Sequence, residues 1–277
     1  MGFYINSITN ITYMNTVTIA TAFFDINREK NGDGRSNTEY LQWINNTLQL
    51  NCNLYVVTEE KFRNFFLNNR PKHLTMHLKI IKFEESHYYQ YYDKIKQILL
   101  SSEYKSNVMH PNRVECILPE YSIIQYSKFY YLKLAMDENP FNSSSFFWMD
   151  AGISRFFMDV DIGRNYPSKN IQDFLFVKSD KFIIQKRHDL ETYSINDSFV
   201  WKSDNLLSGG MFGGGKDIIL KVGKKVEDVF VNKMLRCNNV NNEQLALAMV
   251  WKECPDLFIT IDNVFGGHFS LFKLLSQ

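Results

Sequence analysis

Short apolar segments alternate with segments of helical spacing through the first 150 residues of the chain. The apolar segments, read as strands, are TVTIATAFFD (16–25), NLYVVTEE (53–60), HLKIIKF (77–83) and SFFWM (145–149). The segments read as helices are 38–50, about 59–67, 91–104 and 120–138. Parallel strands need a crossover between them, and a helix usually supplies it. The sequence therefore predicts an α/β fold whose mostly parallel sheet is flanked by helices.

The second half of the chain is less regular. Its candidate elements are the strands FLFVKS (174–179) and KFIIQKR (181–187), a glycine cluster (206–217), and helices at about 216–236 and 242–253. Neither an internal repeat nor a low-complexity linker divides the sequence. We therefore predict one domain over residues 1–277.

Composition restricts the function classes. With 277 residues, 45% of them hydrophobic, the chain can bury a large core. Basic and acidic residues are interspersed and sum to a net charge of +1, so nucleic acid is not an expected partner. The four cysteines form no CxxC pair, which predicts small core residues of a reduced, intracellular protein. We recognise neither a signal peptide nor an apolar stretch of membrane-spanning length, so a soluble, cytoplasmic protein is expected.

Charged residues follow two of the predicted strands. The first strand ends at Asp25, with Arg28 three residues later, and the fourth is followed by Asp150, Gly152 and Arg155. Open α/β sheets bind ligands outside the carboxyl ends of their strands. An aspartate after a strand is also a common turn or helix cap. Because Asp150 directly follows the apolar residues FFWM, we favour a role in ligand binding.

Lys128 falls within the apolar stripe of the helix at 120–138. A lysine on an inward face either extends to the rim of the core or meets an anion. Because this helix leads into the strand that ends before Asp150, we predict that Lys128 lies near the ligand-binding edge.

The glycine cluster contains GMFGGGKD, which fits the G-x-x-x-x-G-K part of a P-loop. Asp217 stands where a P-loop requires Ser or Thr, which argues against a P-loop nucleotide triphosphatase. No G-x-G-x-x-G follows the first strand, so a dinucleotide-dependent oxidoreductase is also disfavoured. The glycines predict either a flexible backbone that can approach an anion or sugar at a helix N-terminus, or a plain tight turn.

Two further polar positions have structural explanations of their own. NNEQLAL places Glu243 and Gln244 in the first turn of a helix, where capping and the helix dipole favour a glutamate. His268, in FGGHF, is a lone histidine. For both positions, a functional role is indicated only by the other motifs of the sequence.

Four segments, TIATAFFDINR, FFWMDAGISRF, SGGMFGG and NNEQLAL, resemble the bacterial HtrL/YibB family, which is linked with cell-surface polysaccharide genes. The order of DAG, the glycines, NEQ and a C-terminal histidine is similar to that of motifs in GT-A-type glycosyltransferases. The resemblance implies a GT-A-like (Rossmann-like) fold, with a nucleotide-sugar-binding half at 1–160 and a mixed, acceptor-side half at 161–277. It implies transfer of a sugar from a UDP-linked donor to a hydroxyl of a glycan or other acceptor.

The resemblance also implies roles for individual residues. Donor contacts would come from Thr21, Ala22, Asp25, Arg28, Lys128, Asp150, Ala151, Gly152 and Arg155. Acceptor or sugar contacts would come from Gly209, Gly210, Gly213 and Gln244. Glu243 would deprotonate the acceptor hydroxyl in an inverting enzyme or position the sugar in a retaining one, and Asp150 would act at the donor.

The D-x-D pattern of such enzymes holds Mn²⁺ or Mg²⁺, and here Gly152 replaces its final acid. The resemblance implies a metal held by Asp150, His268, the diphosphate and water. Alternatively, Arg28, Lys128 or Arg155 would neutralise the leaving diphosphate without a metal. The missing acid also fits a non-catalytic protein that binds a nucleotide or glycan, which is the alternative function.

Overall fold

The computed structural model of the chain describes residues 16–156, 163–264, 267 and 269–277. The strands are β1 Val17–Phe23, β2 Asn53–Thr58, β3 Met76–Ile80, β4 Ser145–Met149, β5 Phe182–Lys186, β6 Leu207–Gly215 and β7 Phe258–Ile261. They form a seven-stranded sheet in the order β3-β2-β1-β4-β6-β5-β7. β6 is antiparallel to β4 and β5, and the other neighbouring pairs are parallel. The predicted α/β fold with a mostly parallel sheet is confirmed.

The helices are α1 Arg28–Asn31, α2 Asn37–Thr47, α3 Arg63–Asn69, α4 Tyr92–Leu100, α5 Ser102–Asn107, α6 Pro119–Glu138, α7 Lys169–Val177, α8 Lys216–Asp228, α9 Glu243–Glu253 and α10 Ser270–Leu275. A π-helical segment, Val229–Met234, continues α8. Within the described part of the chain, none of the helices combines the length and apolar character needed to cross a bilayer.

Side chains of the sheet alternate between two apolar cores. On β1, Ala20 and Ala22 belong to one core, whereas Ile19 and Phe23 belong to the other, as the two-residue period of a strand requires. α4, α6, α8 and α9 contribute to the first core, and α2, α3, α7 and α10 to the second. Helices on both faces explain why β1 and β4 are buried at every position.

α6 crosses the centre of the first core. Pro119 opens the helix, where its missing N–H costs no intrahelical bond, and Asn139 ends it in a left-handed conformation with φ of 34°. The helix packs against β1 and β4 on one side and against α4 and α8 on the other. This placement brings Lys128, on the inward face, to the ends of the central strands.

β6 is the main departure from the sequence prediction, because the glycine run forms a strand and not a tight turn. The glycine run lies as a strand between β4 and β5. A Cβ atom at Gly213 would lie 2.2 Å from the Phe146 carbonyl oxygen and 2.5 Å from the Phe147 ring. The close packing thus requires a residue without a side chain. The helix predicted after the glycines is confirmed, since Gly215 is the N-cap of α8.

The residues FLFV (174–177) form the last turn of α7, so the prediction of a strand there is wrong. The hydroxyl of Ser168 accepts a hydrogen bond from the Ile171 amide and caps the helix. Ile171 and Leu175 are four residues apart and pack on the second core. The neighbouring candidate strand KFIIQKR is confirmed as β5.

Three other regions differ from the predicted elements. The predicted helix at 91–104 is divided at Ser101, whose side chain caps α5. The helix predicted for 216–236 leaves α-helical geometry after Asp228. α10, near the C-terminus, was not predicted.

The four cysteines are free thiols. Cys52 and Cys116 are buried as predicted, but Cys254 is only partly buried and Cys237 is exposed. The prediction of a core position is therefore wrong for Cys237, which follows the π-helical segment at the surface.

Candidate active site

A cavity of about 510 Å³ opens at the carboxyl edge of the sheet. Its wall contains Ala22 of β1, Asp150 after β4, Arg187 after β5 and Gly210 near the start of β6. β6 begins at this edge because it runs opposite to its neighbours. The volume lies within the roughly 300–1,000 Å³ that small-molecule sites occupy.

The predicted site residues divide into three groups. The cavity wall contains Ala22, Arg28, Lys128, Asp150, Ala151, Gly152, Arg155, Gly210 and Gln244. Five others, although described, do not line it: Thr21, Asp25, Gly209, Gly213 and Glu243. His268 lies outside the described residues.

The Lys128 ammonium group joins α6 to the ends of β4 and β6 and to the start of α9. Its Nζ atom donates to Glu243 Oε1 at 2.7 Å and to the Gly209 carbonyl oxygen at 2.9 Å, and it lies 2.9 Å from Asp150 Oδ1. Asp150 Oδ1 also accepts from Trp148 Nε1 at 2.6 Å. One buried cation thus holds two carboxylates from distant parts of the chain.

Burial and charge act in opposite directions on this cluster. Burial alone would lower the pKa of Lys128, but the carboxylates of Asp150 and Glu243 outweigh it and raise that pKa, so the ammonium stays charged. Burial raises the pKa of Glu243, and the negative charge of Asp150 adds to this effect. Glu243 is 0% exposed and its Oε2 atom has no hydrogen-bond partner among the described residues, whereas the Asp150 side chain is 41% exposed. Of these two carboxylates, Asp150 is the one that a ligand can reach.

Arg28 lines the cavity, but its charge is already balanced. Its guanidinium makes two hydrogen bonds to the Asp33 carboxylate, at 2.6 and 2.7 Å, and a third to the Tyr40 hydroxyl. It also lies over the Tyr121 ring, 4.7 Å from the ring centre. These contacts fix the loop after β1 against α2 and α6.

Asp25 and Thr21 are engaged in the fold beside the cavity. Asp25 Oδ2 lies 3.1 Å from Lys61 Nζ, and Oδ1 accepts from the Asn27 amide at 3.0 Å, so this carboxylate closes the turn after β1. Thr21 is buried within β1. Neither side chain belongs to the cavity wall.

Two arginines of the wall differ from Arg28. Arg155 lies in the turn Ile153–Phe156 after β4, and Arg187 directly follows β5. Within the described residues, neither has a carboxylate at ion-pair distance. Burial lowers the pKa of each, and a second arginine, Arg35 beside Arg155 and Arg113 beside Arg187, lowers it further.

Two carboxamides of the wall also have unused hydrogen-bonding capacity. Gln125, one turn before Lys128 on α6, is 7% exposed, and its Oε1 atom has no hydrogen-bond partner within the described structure. The same holds for Oε1 of Gln244, whose backbone amide is capped by the Asn242 side chain at 3.1 Å. A carboxamide both donates and accepts hydrogen bonds, which suits a ligand rich in hydroxyl groups.

The predicted glycines serve different purposes. A Cβ atom at Gly209 would lie 2.2 Å from Glu243 Oε1, so glycine is required for α9 to approach β6. At Gly210 the nearest atom, Ile153 Cδ1, would lie 3.6 Å away, which is ordinary contact. Gly213 is packed within the sheet. Of the three, only Gly210 faces the cavity.

Gly152 occupies the position at which a D-x-D motif has its last acid. A Cβ atom there would lie 3.2 Å from both the Tyr40 and Trp43 rings, so aromatic side chains fill the space an acid would need. The other acids of the wall, Asp33 and Glu115, are paired with arginines.

These contacts leave few donors for a divalent cation, which prefers several oxygen ligands. No group of three or more His, Cys, Asp or Glu residues in the described part of the chain is arranged to hold a metal ion. The described donor set therefore does not fit Mn²⁺ or Mg²⁺. The metal site at Asp150 and His268 stays a prediction, since His268 is outside the described residues.

Sequence reasoning missed Arg187, Gln125 and Tyr40 of the wall, and Trp43, whose ring lies beside Gly152 and Arg155 without lining the cavity. Arg187 had a usable signal, because it follows the candidate strand KFIIQKR just as Asp150 follows SFFWM. Gln125 had a weaker one, its place one turn from Lys128 on the same helix. The two rings could be assigned only once α2 was placed beside the turn that follows β4.

The fold and the cavity define an α/β protein whose candidate ligand site lies at the carboxyl edge of a mostly parallel sheet. The chain belongs to the family described as "Bacterial protein of unknown function (HtrL_YibB)", whose sequence model matches residues 15–277. The resemblance drawn from the four motifs is thereby confirmed.

Comparisons with individual proteins give only distant similarities. No curated protein sequence matches the chain. Among solved structures, the chain is similar to mouse xyloside xylosyltransferase 1 in its apo form, with 12% identity, coverage of 95% of this chain and 94% of that one, and a TM-score of 0.42. It is also similar to the PaToxG glycosyltransferase, with 9% identity, 86% and 69% coverage, and a TM-score of 0.35. At these values neither similarity defines the activity of the chain.

Proposed function

We propose that the protein transfers a sugar from a nucleotide-sugar donor to a hydroxyl group of a glycan or other acceptor. The observation that carries this proposal is the composition of one cavity wall, which contains the Lys128–Asp150 ion pair and two carboxamides, Gln125 and Gln244, whose Oε1 atoms have no hydrogen-bond partner among the described residues. Carboxamides suit the hydroxyl groups of a sugar, and the surrounding basic residues suit phosphate. A nucleotide sugar combines both kinds of group.

In this proposal Asp150 is the catalytic carboxylate. Its Oδ1 atom is occupied by Trp148 and Lys128, which orients the side chain and leaves Oδ2 for the ligand. Asp150 Oδ2 takes the proton of the acceptor hydroxyl as that oxygen attacks the anomeric carbon of the donor sugar, and the proton then passes to water. The chemistry is general base catalysis, worth about 10²- to 10⁴-fold in rate.

We assign Glu243 a supporting role in place of the role of base. Its carboxylate is buried behind Lys128, and the two are joined by a 2.7 Å hydrogen bond. Glu243 thereby fixes the ammonium group that in turn orients Asp150. Gln244, the next residue, extends the same helix start into the cavity wall.

The proposal also covers the class of donor and the biological role. We keep a UDP-linked donor and a role in polysaccharide synthesis, which follow from the resemblance of the motifs. A non-catalytic protein that only binds the nucleotide or glycan is the competing function, and the following experiment separates the two.

The test pairs donor binding with turnover. Thermal unfolding is measured with UDP-, GDP-, CMP- and ADP-linked sugars, and release of the free nucleotide is then followed with each donor that binds. A ligand that binds only the folded state raises the melting temperature, and at about 100 times Kd it adds about 2.7 kcal/mol of stability. We expect one nucleotide class to raise the melting temperature and to be consumed.

Variants locate the activity at the cavity. Asp150→Asn should lower nucleotide release on the order of 10²-fold or more. Asp180→Asn is the matched control, since Asp180 is 72% exposed before β5 and does not line the cavity. Equal activity of Asp150→Asn and wild type would refute the role of Asp150. Donor binding without turnover by the wild type would favour the non-catalytic alternative.

A further inference from the structure

The cavity wall holds basic side chains of two kinds. Four are held by carboxylates: Arg28 and Arg35 by Asp33, Arg113 by Glu115, and Lys128 by Asp150. Arg155 and Arg187 are the wall residues whose guanidinium groups have no carboxylate at ion-pair distance among the described residues. These two groups retain their full charge for a ligand.

The topology brings both arginines to the same edge of the sheet. Arg155 follows β4 and Arg187 follows β5, and these two strands run in the same direction on either side of β6. The Arg155 guanidinium is held over the Trp43 ring, 5.1 Å from its centre, and the Arg187 amide donates to the Leu206 carbonyl at 2.8 Å. The ring contact positions the Arg155 side chain, and the hydrogen bond positions the Arg187 backbone. Neither contact brings a negative charge to the guanidinium group.

The surroundings of each arginine on balance disfavour its positive charge, although Asp150 attracts Arg155. Partial burial removes water from the guanidinium, and the nearby arginines, Arg35 and Arg113, repel it. An anion between such groups replaces repulsion with charge-assisted hydrogen bonds, and guanidinium matches the geometry of phosphate oxygens. The arrangement therefore favours binding of an anion with more than one phosphate.

A divalent cation would meet the opposite conditions at this site. The described acids of the wall are already paired with basic groups, and Gly152 packs against aromatic rings where an acid would be needed. Unpaired positive charge on the wall would repel a metal ion. The charges thus favour the phosphates themselves and disfavour a metal–phosphate complex.

We propose that Arg155 and Arg187 together bind the diphosphate of the donor and stabilise the leaving nucleoside diphosphate, so that donor binding requires no divalent cation. This inference rests on the proposed sugar transfer. In that reaction the bond from the anomeric carbon to the β-phosphate oxygen breaks and the bond from the anomeric carbon to the acceptor oxygen forms. The electron pair of the broken bond stays on the phosphate oxygen, where the two guanidinium groups neutralise it, and the acceptor proton ends on water.

The test uses inorganic pyrophosphate as the probe and isothermal titration calorimetry of the full chain in EDTA. We expect the wild type to bind pyrophosphate in EDTA with a Kd that excess Mn²⁺ does not lower. Arg155→Gln and Arg187→Gln should each raise the Kd about tenfold or more, which corresponds to about 1.4 kcal/mol. Arg63→Gln is the matched control, because Arg63 pairs with Glu60 and does not line the cavity.

A second pair of variants separates the site from a folding defect. Arg155→Lys and Arg187→Lys keep the charge but lose the planar fork, so each should bind more tightly than its glutamine counterpart and less tightly than wild type. The inference is overturned if pyrophosphate binds only with Mn²⁺, if it does not bind the folded wild type, or if the glutamine variants bind it like wild type. Pyrophosphate binding without any sugar transfer would leave the anion site standing and refute the proposed function. Sugar transfer that needs Mn²⁺ and tolerates both glutamine substitutions would refute the anion site and leave the proposed function standing.

Discussion

Lys128 is the residue on which the charge balance of the cavity depends. Replacing it with methionine removes the ammonium group but keeps most of the buried volume, and it leaves Glu243, which is 0% exposed, without a counter-charge. Breaking a buried ion pair from one side typically costs about 3–5 kcal/mol. We therefore expect Lys128→Met to lower the free energy of unfolding by about that amount in urea denaturation.

The control for this prediction lies on the same helix. Lys133 of α6 pairs with Asp137 at the surface, and surface pairs contribute about 0–1 kcal/mol. Lys133→Met should therefore change stability little. Similar losses for the two variants would contradict the assignment of Lys128 as a buried counter-ion. The double variant Lys128→Met/Glu243→Gln should recover part of the loss, because it also removes the unpaired carboxylate.

Two adjacent glycines give a second test at the residue scale. Gly209→Ala would place a methyl group 2.2 Å from Glu243 Oε1, whereas Gly210→Ala would meet its nearest atom at 3.6 Å. Overpacking of this kind typically costs about 1–3 kcal/mol. We expect Gly209→Ala to lower the urea midpoint clearly and Gly210→Ala to leave it nearly unchanged. A larger loss for Gly210→Ala would refute the described approach of α9 to β6.

At the scale of elements, the contact between α6 and α8 depends on one glycine. A Cβ atom at Gly223 of α8 would lie 2.8 Å from Cδ1 of Phe129. The Phe129 ring cannot easily move, since it stacks on Phe182 and Phe212 with ring centres 6.0 and 5.2 Å away.

Gly223→Ala should therefore destabilise the protein although alanine is the better helix former. The gain in helix propensity is about 0.5–1 kcal/mol, and the overpacking cost is about 1–3 kcal/mol. Thermal unfolding followed by circular dichroism measures the net effect. Combining the change with Phe129→Leu should make the two effects non-additive, because the smaller side chain provides the missing space. A stabilising Gly223→Ala would show that the two helices lie farther apart.

The elements that sequence reasoning identified are those whose own residues determine them. β1 and β4 are apolar throughout and α6 has a long helical pattern, so their neighbours were not needed to recognise them. β6 is a strand because β4 and β5 lie on either side of it, and glycine has little strand preference of its own. The apolar run of α7 is too short for its pattern to distinguish a strand from a helix. The N-cap at Ser168 is the local feature that indicates a helix.

At the scale of the whole molecule, many carboxyl groups favour the folded state at neutral pH. Burial raises some of their pKa values, but hydrogen bonds and nearby cations outweigh it, so the pKa is lowered for Asp25, Asp33, Glu39, Glu60, Asp137, Glu138 and Glu227. A lowered pKa in the folded state stabilises it above the unfolded values of 3.8 for Asp and 4.5 for Glu. That stabilisation is lost as the pH falls through the folded pKa values. Glu243 has a raised pKa, so its contribution has the opposite sign.

We therefore expect the melting temperature to fall as the pH is lowered from about 5 to about 3, because the groups with lowered pKa outnumber Glu243. Differential scanning calorimetry across this range measures the effect. Asp33→Asn should weaken the dependence, since the Arg28 guanidinium is the main cause of the lowered Asp33 pKa. A melting temperature that stays constant down to pH about 3 would contradict the prediction.

The candidate site could be predicted only in part, because some of its residues meet only when the whole chain is folded. Lys128, Asp150 and Arg155 are close in sequence and follow from local rules about helix faces and strand ends. Gln125 lies one turn before Lys128 on the same helix, whereas Arg187 joins them only because β5 ends at the same edge of the sheet. Glu243 was found by its motif, but its burial behind Lys128 depends on the side-chain-free surface at Gly209.

The position of β6 in the sheet has a consequence for synthesis on the ribosome. β1 to β4 can pair with one another as they emerge, but among the described strands β5 has only β6 and β7 as neighbours, both of which lie later in the chain. β6 starts about 20 residues after β5 ends, roughly 1–4 s of translation at about 5–20 residues per second. During that interval β5 has no partner strand of its own chain, and Gly210 of the cavity wall has not yet been made. A nascent chain that stalls before residue 207 would therefore expose an unpaired apolar strand and lack the ligand site.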